Sequence, residues 1–184
     1  RIKAAFVLVT GDITESGTPE QFGTFLEVLD TCTLPTFVCA GNHDRNGLNY
    51  EKTFGPLVYS FRYGPDGFLL FDTKDFITAD NLDPQMGDLQ RLRRAIKPSR
   101  WSVGVTHRYE PAMSMRSQLV LFVDDPLDYL LFGHWHRESE QKEVPWGTTP
   151  LVATPAAVDG AWRLVLFTGT GIHPQEVQMT GPEE

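Results

Sequence analysis

The sequence predicts an α/β fold, either a mixed β-sheet or two sheets packed as a sandwich, with helices on the outside. Three observations predict it. A short apolar run, an amphipathic helical pattern and a second short apolar run follow one another near the start. Two strand-like runs further on flank a Gly-Pro-Asp-Gly turn. The last part of the chain alternates strand-like runs with Gly-rich turns. Strands alternating with helices, then a run of strands, give layered sheets with helices covering them.

Residues 4–10 (AAFVLVT) are a continuous apolar run closed by Gly11-Asp12, which reads as a buried strand. Pro19 opens a helix, with Phe22, Phe25, Leu26 and Leu29 at i, i+3, i+4 and i+7 on one face. Pro35 closes the connection, and residues 36–40 (TFVCA) form a second strand. Strand, helix and strand in this length make a βαβ unit, which implies parallel pairing and a right-handed crossover. Residues 58–63 and 68–71 flank Gly64-Pro65-Asp66-Gly67 and read as a hairpin. Met86, Leu89, Leu92 and Ile96 mark a second helix, stopped by Pro98. Residues 101–106 form a strand that ends at His107. Residues 119–123 fit a helix or a strand equally. Residues 129–132 form a strand ending at Gly133-His134, and residues 150–154, 162–167 and 172–178 complete the strands.

The 184 residues fit one domain, 1–184, with 41% hydrophobic and 22% charged residues. The formal net charge of -8 disfavours general attraction to nucleic-acid backbones, and no nucleic-acid-binding signature is present. A metal centre still binds a phosphate ester, because nearby cation charge outweighs distant net charge. Cys32 and Cys39 form no disulfide framework and read as small core hydrophobes. No apolar run is long enough to span a bilayer. No targeting segment is visible, so the cytoplasm is the default expectation, and oligomeric state is not encoded in any pattern.

Four strands end in polar clusters: Gly11-Asp12, Gly41-Asn42-His43-Asp44, Thr106-His107 and Gly133-His134-Trp135-His136. Ligands bind beyond the carboxyl ends of strands in α/β sheets. Four such ends in one sheet would gather Asp12, Asn42, His107, His134 and His136. Gly-Asp alone is an ordinary turn, and a single strand-end histidine is more often structural. Asn and His together have little reason to follow a buried strand, and His-Trp-His puts two imidazoles on one side of an extended segment. Oxygen and imidazole donors suit Mn, Fe, Zn or Co rather than Ca.

The ordered set GD…GNHD…H…GHxH resembles the calcineurin-like metallophosphoesterase superfamily over nearly the whole chain. Tyr59-Ser60-Phe61 followed by residues 68–72 resembles the strand pair that follows the GNHD loop in that family. Residues 11–17 leading to Pro19-Glu20 resemble the branch that holds cyclic-nucleotide and glycerophosphodiester phosphodiesterases.

The resemblance implies a dinuclear centre of two divalent ions that hydrolyses a small phosphodiester, or less favourably a phosphomonoester, by attack of a metal-bound hydroxide. It makes Asp12 the bridging carboxylate, with Asn42, His107 and His134 completing one site and His136 belonging to the other. It places His43 over the phosphoryl group as a catalytic, non-ligating residue, with Glu15 as an acid that orients it. Asp44 fixes the loop, Arg45 and Arg108 are candidates for substrate contact, Asp72 is a structural acid, and Trp135 packs between two ligands. A non-catalytic, metal-supported scaffold is the alternative. The family pattern opens with a strand ending in Asp-x-His, and no Asp-x-His occurs in these residues. The expectation is therefore an N-terminally incomplete domain, opening at Arg1 without its first strand, in which one metal site keeps only Asp12 and His136.

Overall fold

The computed structural model describes residues 3–76, 84–136, 139–141 and 147–179; Arg1, on which the expectation of an incomplete N-terminus falls, lies outside them. The first apolar runs give β1 (Val7–Val9) and β2 (Thr36–Val38), paired in parallel with Leu8 opposite Phe37. Between them runs α1 (Pro19–Leu29), where Thr18 caps the start by accepting the Gln21 N–H and Pro19 fills the first helical position. The hairpin is β3 (Tyr59–Tyr63) and β4 (Asp66–Leu70), with Tyr63 opposite Asp66. β5 (Ser102–Thr106), β6 (Tyr129–Phe132), β7 (Ser139–Gln141) and β8 (Leu151–Ala153) extend it into a six-stranded sheet of order β3-β4-β5-β6-β8-β7. Its four inner strands are parallel and both edges antiparallel. β9 (Ala161–Phe167) and β10 (Ile172–Gln178) form a separate antiparallel pair.

Alternation along the inner strands sorts their side chains onto two faces. Phe68, Leu70, Val103, Val105, Leu131 and Val152 point to one face, where Leu8 and Phe37 of the β1–β2 pair and Val165 and Phe167 of β9 pack on them. Leu69, Phe71, Leu130 and Phe132 point to the other, against Met86, Leu89 and Ile96 from α3 (Pro84–Ala95) and its end. The outer face of the β1–β2 pair packs on Phe22 of α1 and on Tyr50 and Phe54 of α2 (Asn49–Phe54). The predicted sandwich with flanking helices is thus the architecture.

Two local expectations change, and one left open between helix and strand is decided. β1 and β2 face the large sheet instead of joining its ladder. Residues 119–123 are a π-helical turn (Leu119–Val123) continuing α4 (Met115–Gln118), with Asp124 N–H reaching the Leu119 carbonyl. In α1 the apolar stripe is only partly inward: Phe22 is buried, whereas Leu26 is 38% exposed. No helix among the described residues is long and apolar enough to cross a membrane.

Candidate metal centre

The ends of β1, β2, β5 and β6 meet at one end of the sandwich. Their approach depends on two glycines. Gly11 has φ 84°, and a Cβ there would lie 2.7 Å from Gly41 N and 2.8 Å from His107 Nδ1. A Cβ on Gly41 would lie 2.1 Å from Asp12 Oδ1. Asp12, His134 and His136 themselves have positive φ, at 53°, 66° and 51°. Three non-glycine residues in the left-handed region, all within the strand-end clusters, represent strain of a kind that concentrates at functional sites.

His107 stands at the centre of the cluster and is 3% exposed. Its Nδ1 lies 2.8 Å from the Thr10 carbonyl oxygen, which only accepts, so Nδ1 carries the proton and donates. Its Nε2 faces three polar atoms at once: Asn42 Oδ1 at 3.0 Å, His134 Nδ1 at 3.0 Å and Asp12 Oδ2 at 3.1 Å. With the proton on Nδ1, the Nε2 lone pair of a neutral His107 faces the lone pairs of the Asp12 and Asn42 oxygens, and lone pairs this close repel. A cation among them removes the conflict. One carboxylate oxygen, one amide oxygen and two imidazole nitrogens fit a first-row divalent ion.

The electrostatics favour the ligating forms. Burial tends to raise the Asp12 pKa, but the hydrogen bond with His107 and the His43 backbone N–H, 3.0 Å from Oδ1, bring it below the usual carboxylate value. Burial, then repulsion from the neighbouring His107 and Arg108, lower the His134 pKa, which favours its neutral imidazole.

The neighbouring residues divide clearly. His43 stays out of the donor group: its ring is 44% exposed and its Nδ1 meets the Glu15 carbonyl oxygen at 2.8 Å. The Glu15 carboxylate is 3.9 Å away and itself largely exposed, so the backbone of Glu15, rather than its acid group, orients the ring. Asp44 is fully buried and accepts from Ile13 N, Thr14 N, Thr14 Oγ1 and Gly41 N, which ties the first two loops together. Arg45 Nη2 lies 2.8 Å from Asp72 and 2.7 Å from Asp75, so two carboxylates hold this end of the candidate substrate-contact residue. The Arg108 guanidinium makes a long contact with Glu110, at 3.9 Å, and its charge reaches His134. His136 is exposed and outside the group of Asp12, His107 and His134, whose ligand atoms lie within 4.8 Å of one another. Trp135 packs edge-on against Phe132 at 4.8 Å. An open hollow of about 340 Å³ on the α1 side is lined by Ile13, Thr14, Glu15, Gln21, Thr24, Phe25 and Val28, and none of the donor residues borders it.

The sequence patterns did not point to Thr10, whose backbone carbonyl fixes the His107 tautomer. They also did not point to Thr73, whose hydroxyl donates to the Arg108 carbonyl together with that of Thr106. A carbonyl is common to every residue, so no sequence signal marks it.

The model of the calcineurin-like phosphoesterase family matches residues 1–138. The chain belongs to this family. A calcineurin-like phosphoesterase chain of this kind is 40% identical over 52 residues to a probable glycerophosphodiester phosphodiesterase of Arcobacter nitrofigilis. That match covers 28% of the chain and 19% of the relative, so the chain spans a small part of the curated relative it matches. Among solved structures, a purple acid phosphatase from yellow lupin (Lupinus luteus) seeds superposes with a TM-score of 0.63 at 16% identity, covering 80% of this chain and 36% of that one. A protein of Thermus thermophilus superposes with a TM-score of 0.59 at 12% identity, covering 94% and 86%. At these identities the likeness concerns the fold alone.

Proposed function

We propose that this calcineurin-like phosphoesterase chain carries the catalytic end of a metal-dependent phosphoester hydrolase, with phosphodiesters favoured over phosphomonoesters. The observation that carries this reading is His107 Nε2, its ring proton held at Nδ1 by Thr10, within about 3 Å of Asn42 Oδ1, His134 Nδ1 and Asp12 Oδ2. Asp12, Asn42, His107 and His134 are the proposed ligands of one ion. Asp12 and His136 are the proposed contribution to a second, following the order of the motif. When bound, such ions supply positive charge against phosphoryl oxygens and acidify water.

The chain's own residues account for the rest. Thr10 holds the His107 proton at Nδ1 and keeps Nε2 turned to the cluster. The Glu15 carbonyl takes the His43 Nδ1 proton, which leaves Nε2 directed away from that anchor. The hydrogen bond to Glu15 and the charge of Asp12 raise the His43 pKa above the ordinary histidine value, so its Nε2 carries a proton at higher pH than a free imidazole. Such a group stabilises phosphoryl charge or protonates a leaving oxygen. Phosphodiester preference rests on the short match with the Arcobacter nitrofigilis relative and on the loop of residues 11–17. A purely metal-supported scaffold has no use for His43.

The test compares hydrolysis of an aryl phosphodiester with that of an aryl phosphomonoester by this chain in Mn2+. Faster turnover of the diester is expected. Cleavage of neither ester with Mn2+, Zn2+, Co2+ or Fe2+ would sink the hydrolase reading, and faster turnover of the monoester would sink the preference.

A further inference from the structure

Two of the four proposed ligands, Asn42 and His107, stand on loops that belong to different sheets. Their spacing is therefore not set by a shared ladder. One short segment touches both loops. It consists of Asp72 and the 3₁₀ turn Thr73–Phe76, immediately after β4.

One arm of this segment reaches the Asn42 loop. Asp72 Oδ2 and Asp75 Oδ2 both take Arg45 Nη2, at 2.8 and 2.7 Å, three residues beyond Asn42. The Arg45 side chain is 23% exposed and Asp72 only 5%, so this pair is screened less than a surface ion pair. The other arm reaches the His107 loop. Thr73 Oγ1 donates to the Arg108 carbonyl at 2.5 Å, and Thr73 N–H donates to Thr106 Oγ1 at 3.4 Å, so the turn grips the residues on both sides of His107. Thr106 Oγ1 donates to the same Arg108 carbonyl at 3.2 Å.

The base of the segment is packed into the core. Phe71 and Phe76 bracket it, both fully buried, with ring centroids 6.3 Å apart. The Phe76 carbonyl is held by the Ser114 N–H at 2.8 Å. A packed base with one arm on each loop fixes the separation of Asn42 Oδ1 and His107 Nε2, which is 3.0 Å.

We propose that residues 72–76 are a brace that sets the geometry of the metal centre, with Arg45 and Thr73 as its positioning residues. This rests on the metal-centre reading above. Neither residue supplies a ligand atom; each acts on a ligand through the backbone of its loop. Residues that orient ligands in this way affect metal affinity while leaving the donor set intact.

The experiment measures Mn2+ affinity of the chain by calorimetry and apo stability by urea unfolding, for the wild type and five variants. Thr73→Val and Arg45→Met are expected to weaken Mn2+ about 10-fold or more, while Thr73→Ser, which keeps the hydroxyl, stays within about 2-fold. Arg45→Lys, which keeps one charged contact, is expected to fall between Arg45→Met and the wild type. Ile96→Val is the control. Ile96 packs under Gly67 at the opposite end of β4, so this variant lowers stability and leaves Mn2+ affinity unchanged. If Thr73→Val folds poorly, the Arg45 pair carries the comparison. Wild-type affinity in Thr73→Val and Arg45→Met overturns the brace while leaving the metal centre standing. Equal weakening by Ile96→Val overturns it too, because affinity would then simply follow stability. Absence of Mn2+ binding by the wild type overturns the metal-centre reading and the brace with it.

Discussion

Asp44 Oδ1 accepts two hydrogen bonds from Thr14, one from its backbone N–H and one from its hydroxyl, each at 2.9 Å. Oδ2 accepts the Gly41 N–H at 2.8 Å and the Ile13 N–H at 3.2 Å. One buried carboxylate therefore stitches the loop after β1 to the loop after β2. Asp12 and Asn42, two of the proposed ligands, stand on those loops. Asp44→Ala leaves four donors without their acceptor in a buried place. A loss of about 3 kcal/mol or more is expected, since each buried unsatisfied donor costs about 1–3 kcal/mol. Asp44→Asn turns one of the two oxygens into a donor and should lose roughly half as much. Urea unfolding of both variants checks this; a loss below that of a surface substitution would show that the stitch is dispensable.

Two glycine substitutions should move stability in opposite directions. Gly41→Ala puts a methyl group 2.1 Å from Asp12 Oδ1, and only movement of the ligand itself relieves the clash. Loss of Mn2+ binding together with lower stability is expected. Gly23 lies inside α1, where a Cβ meets nothing within 4 Å. Gly23→Ala should therefore stabilise the chain by about 0.5–1 kcal/mol through helix propensity, and leave Mn2+ affinity alone. Thermal melts with and without Mn2+ distinguish the two.

Tyr59 makes a third kind of link. Its hydroxyl donates to the Val38 carbonyl at 2.7 Å and accepts the Val38 N–H at 3.0 Å, so one side chain satisfies both polar groups of a β2 residue. The Tyr50 hydroxyl also donates to that carbonyl, at 3.0 Å. Tyr59→Phe strands the N–H, whereas Tyr50→Phe removes only one of two donors to an oxygen. The first should cost about 1–3 kcal/mol and the second about 1 kcal/mol or less, read by urea unfolding. Equal losses would contradict this division.

How much of this was legible depended on range. The α1 helix was written locally, in the Pro19 start and the Phe22 spacing; the structure keeps the start and buries Phe22, while Leu26 of the same stripe stays exposed. The strand ends were legible because a buried apolar run stops abruptly at polar, metal-binding residue types. That His107, Asn42, Asp12 and His134 converge needed only the rule that ligands gather beyond parallel strand ends. The destination of Arg45 was not legible, because its partners lie 27 and 30 residues away and a local pattern carries no such pairing. The separate β1–β2 pair was hidden for the same reason: alternation tells which face a residue takes, not which strand lies beside it. α2 is only six residues long, too short for an apolar period to stand out.

The proposed split of roles between His107 and His43 gives the sharpest functional expectation. His107 is a proposed ligand, 3% exposed, with its Nε2 among the donors. The His43 ring is 44% exposed and held by Glu15 outside the donor group. A ligand that binds only the folded chain adds RT ln(1 + [L]/Kd), about 2.7 kcal/mol at 100 times Kd, so saturating Mn2+ should raise the melting temperature of the wild type by several degrees. His107→Ala should lose that rise because it removes the central donor. His43→Ala should keep it, since every donor remains, but should lower turnover of the aryl phosphodiester by about 100-fold or more, as loss of a positioned proton donor does. Glu15→Gln should behave nearly as the wild type in both measurements, because it keeps the backbone carbonyl that holds the ring. A His107→Ala chain that still gains stability from Mn2+, or a His43→Ala chain that no longer does, would reverse the two assignments.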